Sequence, residues 1–75
     1  MTLQQCYNVA MNGRKVIVDG TLYRRIIRAG YCFRENGSYI EFAEVLEMTT
    51  GTIRSVNPGA ISLPTQETQN YYKEK

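Results

Sequence analysis

The chain has no histidine, only two cysteines, and no apolar run approaching the length a bilayer demands. Each shortage removes a class of chemistry. Without histidine there is no ordinary proton shuttle at neutral pH and no Cys–His or Ser–His pair. Cys6 and Cys32 cannot build a four-ligand zinc site, and no imidazole is present to complete one. No segment reaches the roughly 20 apolar residues of a spanning helix. No Gly-rich phosphate loop is present either. Charge of one sign is also scarce, because the formal net charge is only +2. That argues against a nucleic-acid binder, whose footprint is strongly basic. The opening residues do not read as a signal peptide, so the expected setting is the cytoplasm, with both cysteines reduced and buried.

Seventy-five residues allow one small domain, expected at 1–63, with 64–75 a polar, flexible tail that carries Tyr71 and Tyr72. A core of this size supplies about 3–5 kcal/mol of net stability unless something assists it. With no metal set and no expected disulfide, self-association is the expected helper.

What is present is turn chemistry. Asp19-Gly20 and Asn36-Gly37 lie between β-branched and aromatic runs. Both dipeptides suit type I′ turns, which need φ > 0 at two central residues. They predict a three-stranded meander over 16–48. Ahead of it, Thr2 and Gln5 form a capping box, and Leu3, Cys6, Tyr7, Ala10 and Met11 make one apolar stripe. Asn12-Gly13 closes that helix, expected over 2–12. The strand Thr21 to Arg34 is long and holds Gly30, where a bend or bulge is expected. Neither of its faces is purely apolar, so residues must switch sides or both faces must be covered. On the next strand, Ile40, Phe42, Leu46 and Met48 share the expected apolar face with Glu44. Thr49-Thr50-Gly51 turns into a strand ending at Val56. Asn57-Pro58-Gly59 reads as one helical turn before a last strand from Ile61.

The fold class is α+β and mostly β: a short N-terminal helix, then a five-stranded, strongly bent antiparallel sheet or a small barrel. The kinked second strand and the single turn before the last strand resemble the SH3-like barrel. Either form leaves edges to cover or to pair with another subunit.

Four segments carry a further resemblance. They are the opening helix with Asn12-Gly13-Arg14-Lys15-Val16, Gly20-Thr21-Leu22-Tyr23-Arg24-Arg25-Ile26, the strand Tyr39-Ile40-Glu41-Phe42-Ala43-Glu44-Val45-Leu46, and Val56-Asn57-Pro58-Gly59-Ala60-Ile61-Ser62-Leu63. Through them the chain resembles short proteins carried by phages and prophages of Gram-positive bacteria. Its layout is also similar to the small sponge proteins with which phages sequester nucleotide immune signals. The family has no settled catalytic motif, so the resemblance supplies no site residue.

Catalysis is not expected, nor is a cofactor. Glu41 and Glu47 share a face but stand about 20 Å apart along a strand, too far to act as a carboxylate pair. Glu44 reads as a carboxylate paired with an arginine of the neighbouring strand, or as an acceptor for a ligand. Arg24, Arg25, Arg28 and Arg34 fall within eleven residues, interleaved with Tyr23, Tyr31, Phe33 and Tyr39. Arginine forks suit phosphates and aromatic faces suit bases. The same residues would equally make cross-strand pairs with Glu41, Glu44 and Glu47. The candidate ligand-binding set is Arg24, Arg28, Tyr23, Tyr31, Tyr39 and Glu44. The expected function is sequestration of a small phosphorylated ligand, such as a nucleotide immune signal, at a homo-oligomer interface. The alternatives are inhibition or bridging of a host protein through a sheet edge or the 31–39 hairpin, and small-barrel nucleic-acid binding.

Overall fold

A computed structural model describes residues 1–64; the tail residues Tyr71 and Tyr72 lie outside them. The order is α1 (Leu3–Met11), β1 (Val16–Val18), β2 (Thr21–Phe33), β3 (Tyr39–Glu47), β4 (Ile53–Val56), a 3-10 turn (Pro58–Ala60) and β5 (Ile61–Ser62). The strands form one antiparallel sheet in the order β4-β3-β2-β1-β5. It is open: β4 and β5 are its two edges, and the sheet does not close into a barrel.

The capping box on α1 is complete. The Gln5 N–H donates to Thr2 Oγ1 at 3.2 Å, and the Thr2 N–H donates to Gln5 Oε1 at 2.9 Å. The buried stripe differs from the expected one. Leu3, Cys6 and Val9 face inward, while Tyr7 is exposed and Met11 is 85% exposed. Spacing of three keeps small and branched side chains against the sheet. The expected stripe fails because the terminal turn leaves the surface of this small sheet before Met11 can be covered.

The two hairpins use different turns. Asp19 and Gly20 both adopt positive φ, at 51° and 78°, as a type I′ turn requires. In the second hairpin only Gly37 does, at 87°. The Gly37 N–H donates to the Arg34 carbonyl at 3.1 Å and the Arg34 N–H to the Ser38 carbonyl at 2.8 Å. That is a three-residue loop with the glycine in a bulge position rather than a type I′ turn. Asn36 acts through its side chain, accepting from the Ser38 N–H at 3.0 Å.

β2 is irregular, but not at Gly30. Its register against β3 slips between Tyr23 and Arg25 and again between Ile26 and Arg28, which makes Arg24 and Ile27 the extra residues. Gly30 pairs regularly with Phe42, whose ring lies 3.6 Å from where a β-carbon would stand. The two bulges resolve the mixed faces of the strand. Tyr23, Ile26 and Ala29 are three apart in sequence, yet they stand opposite Glu47, Val45 and Ala43, which are two apart. Paired residues share a face, so all six lie on one side. This is the side that α1 covers. Its core is Cys6 and Val9 from the helix with Val16, Val18, Tyr23, Ile26, Ala43, Val45 and Ile61 from the sheet.

The core face of β3 is therefore that of Ala43 and Val45. Ile40, Phe42, Glu44 and Leu46, expected to point inward, lie on the opposite face, and Ile40 is exposed. The residues with the smaller side chains are the ones packed under the helix. A helix seated close to a sheet leaves room for Ala43 but not for Phe42.

Candidate functional site

The core ends well before the second hairpin does. On β2 the last buried residue is Ile26, and on β3 the first is Ala43; no residue between 27 and 42 is buried. β1 accompanies β2 only as far as Tyr23, and β4 accompanies β3 only back to Ala43. The remainder is a two-stranded arm running on past the body.

Beyond the second bulge the pairing is continuous from Arg28 with Glu44 to Phe33 with Tyr39. Alternation then fixes the two faces of the arm. Tyr31, Phe33 and Tyr39 share the face that is continuous with the core. Arg28, Phe42 and Glu44 share the other. The three aromatic rings make one cluster. Tyr31 and Tyr39 meet edge to face with centroids 5.1 Å apart, Phe33 and Tyr39 stand at 6.1 Å, and Tyr31 and Phe33 at 6.3 Å. They bound a shallow concavity of about 240 Å³. All three are substantially exposed, at 49%, 76% and 57% for Tyr31, Phe33 and Tyr39. Tilted and edge-to-face contacts are the arrangements aromatic pairs prefer, so the rings support one another on an otherwise thin arm while staying open to solvent.

On the opposite face Arg28 Nε lies 2.9 Å from Glu44 Oε1, and the guanidinium stands 5.6 Å from the centre of the Phe42 ring. The expected cross-strand pairing of Glu44 with an arginine is thus present. Arg24 sits at the first bulge and donates to the Met48 carbonyl at 2.6 Å. Its expected alignment with Arg28 assumed a regular strand; both register slips involve the stretch they bracket. Arg25 donates to the Ala10 carbonyl of α1 at 3.3 Å. Tyr23, a candidate for stacking on a ligand, is 5% exposed and lies in the core. Burial under α1 removes its ring face from any ligand, and only its hydroxyl reaches the rim. There it accepts from Arg54 Nη1 at 2.9 Å, while Arg54 Nη2 lies 3.0 Å from Asp19 Oδ2. The Tyr23 hydrogen bond first, and then Asp19, raise the Arg54 pKa above its ordinary value.

The candidate set therefore divides. Tyr31 and Tyr39 come together and are joined by Phe33. Arg28 and Glu44 pair on the reverse face, and Arg24 and Tyr23 are engaged elsewhere. Phe33 was legible as the residue two beyond Tyr31. Arg54 carried no signal, because its neighbours are set by the β3–β4 register.

Further concavities lie on the body among the described residues. One of about 380 Å³ lies between α1 and β5, with Val9, Ser62 and Leu63 in its wall. Another of about 230 Å³ is lined by Asn12, Gly13, Arg14, Lys15 and Pro64. The second is basic, but it adjoins the C-terminal end of α1, whose dipole is unfavourable to an anion. Of the two cysteines, Cys6 is free and buried as expected, whereas Cys32 is free but exposed. Cys32 lies in the arm, where among the described residues nothing packs over it to bury it. Burial pushes the Cys6 thiol pKa up; Glu41 adds to this and the terminal amino group opposes it. Among the described residues no group of three His, Cys, Asp or Glu could hold a metal, and no helix is long and apolar enough to cross a membrane. Compared with protein-family models, curated proteins and solved structures, the chain matches none.

Proposed function

We propose that the chain is a non-catalytic binding protein that engages a protein partner through the aromatic face of its β2–β3 arm. The observation that carries this reading is the exposed Tyr31–Phe33–Tyr39 cluster on a stretch, 30–42, none of whose residues belongs to the core. Aromatic side chains of this kind are typical anchors of protein interfaces, where large area is buried at little conformational cost. The partner would present apolar side chains to the concavity. The resemblance to phage and prophage proteins is what suggests a bacterial host protein as that partner.

The arrangement favours this over sequestration of a phosphorylated ligand. Such a ligand needs arginine forks beside a stacking surface. Here the stacking surface and the Arg28–Glu44 pair occupy opposite faces, and Arg24 is bonded to a carbonyl. Two measurements decide between them. Protein immobilised through its C-terminus should retain a defined set of host proteins, and the Tyr31→Ala/Phe33→Ala/Tyr39→Ala variant should retain none of them with its fold intact. Each anchor is expected to contribute about 2 kcal/mol or more. Calorimetric titration with cyclic and ADP-ribose-type nucleotides should show no binding. Nucleotide binding that Arg24→Ala or Arg28→Ala abolishes would overturn the proposal.

A further inference from the structure

We infer that the free edge of β2 over residues 28–33 pairs antiparallel with the same edge of a second copy, joining two arms into a four-stranded sheet. This goes beyond the reading above: it concerns the edge of the arm rather than its aromatic face, and a copy of this chain rather than another protein.

β1 leaves β2 at Tyr23, and among the described residues no strand takes its place. The edge is extended and regular over Arg28 to Phe33, because both bulges lie before it. Such an edge presents a row of backbone donors and acceptors ready for another strand. Proteins that keep their edges single guard them with lysine, proline, a bulge or an inward-pointing charge. The sequence Arg-Ala-Gly-Tyr-Cys-Phe has neither lysine nor proline, and no bulge interrupts it.

Three features favour a second copy as the occupant. An antiparallel strand pair about a two-fold axis lets one edge satisfy itself, with no rearrangement of either copy. The single charge on the edge, Arg28, is already neutralised by Glu44 at 2.9 Å, so two copies do not repel there. Gly30 adds no side chain at the centre, and the Phe42 ring of the paired strand lies 3.6 Å from where a β-carbon would stand. A two-fold axis perpendicular to the sheet also keeps like faces together. Both aromatic clusters would then lie on one side of the joined sheet, doubling the surface offered to a partner.

The test is the oligomeric state of the full chain, by native mass spectrometry and sedimentation, with hydrogen exchange across a concentration series. We expect a dimer. Alternate amides within 28–33 should gain protection as concentration rises. Cys32→Lys, which places a charge on the edge, should weaken association by about tenfold or more. Its circular dichroism should be unchanged. Tyr31→Phe, which leaves the edge intact, should keep the dimer. A monomer at every concentration would overturn the inference. So would a dimer that Cys32→Lys leaves intact, or protection of 28–33 that does not vary with concentration, which would mean that this chain covers its own edge. Loss of partner capture in the aromatic variant with the dimer retained would leave this inference standing and separate it from the functional one.

Discussion

The body and the arm of this molecule are made from the same two strands, yet they obey different rules. In the body, β2 and β3 are flanked by β1 and β4 and covered by α1, and their inward residues are Tyr23, Ile26, Ala43 and Val45. In the arm the same strands have no flanking partner among the described residues, and the Tyr31, Phe33 and Tyr39 side chains are exposed. The face is continuous between the two. What changes is whether anything stands over it. An apolar residue on this sheet is therefore structural in one half and available for binding in the other. Parity alone does not distinguish them.

The largest effect should separate the halves directly. Ile26→Ala opens a cavity beside Val45 and should cost about 2–5 kcal/mol by chemical denaturation. Phe33→Ala, on the same strand, should change stability by no more than about 0.5 kcal/mol. A large loss from Phe33→Ala would show that the arm is part of the cooperative core, and the comparison would fail.

A smaller effect is expected at the rim of the body. Thr2→Ala removes the acceptor for the Gln5 N–H and should cost about 1 kcal/mol, read as a lower thermal midpoint. The arm carries its own polar pair. Arg28 and Glu44 are 68% and 25% exposed as side chains, so a double-mutant cycle should return a coupling of only about 0.2–1 kcal/mol, shrinking with salt. A coupling well above that would mean the pair is desolvated, as it would be if the arm were buried against another molecule.

The smallest expected effect is a pH dependence confined to the body. Burial raises the Cys6 pKa above its ordinary value of 9.0 and the terminal amino group opposes the rise. A raised pKa in the folded state means that the native protein holds the thiol proton more tightly than the unfolded chain. The resulting stability is fully present below about pH 9 and is lost as pH rises through the folded pKa. Denaturation at pH 8 and pH 10.5 should show a steeper loss for the native sequence than for Cys6→Ala. Equal slopes would mean that Cys6 is hydrated.

Much of the architecture was legible because it rests on local chemistry. Thr2 and Gln5 cap a helix wherever it docks, Gly20 and Gly37 permit their turns, and Pro58-Gly59 begins one tight helical turn after Asn57. Strand alternation was legible too, but not which side was inward. Ile40, Phe42 and Leu46 looked like the core face, and Ala43 and Val45 fill it instead. The bulges at Arg24 and Ile27 were announced only as a conflict between faces, and Gly30 drew attention to the wrong place. The candidate site divided for the same reason. Interleaving in sequence brings arginines and aromatics near one another along a strand, and alternation then sends Arg28 and Tyr31 to opposite faces.

The sequence by itself determined the elements, their order and the absence of metal-binding histidine chemistry, since those depend on caps, turns and residue types. Only the tertiary structure decided which face is core, where the core stops and which side chains are left exposed. Those properties depend on register and on what is packed above, and a one-residue slip reverses every face beyond it. The Asp19-Gly20 turn sets the body and the loop at Gly37 ends the arm; the aromatic cluster beside that loop is exposed because, among the described residues, nothing is packed over it.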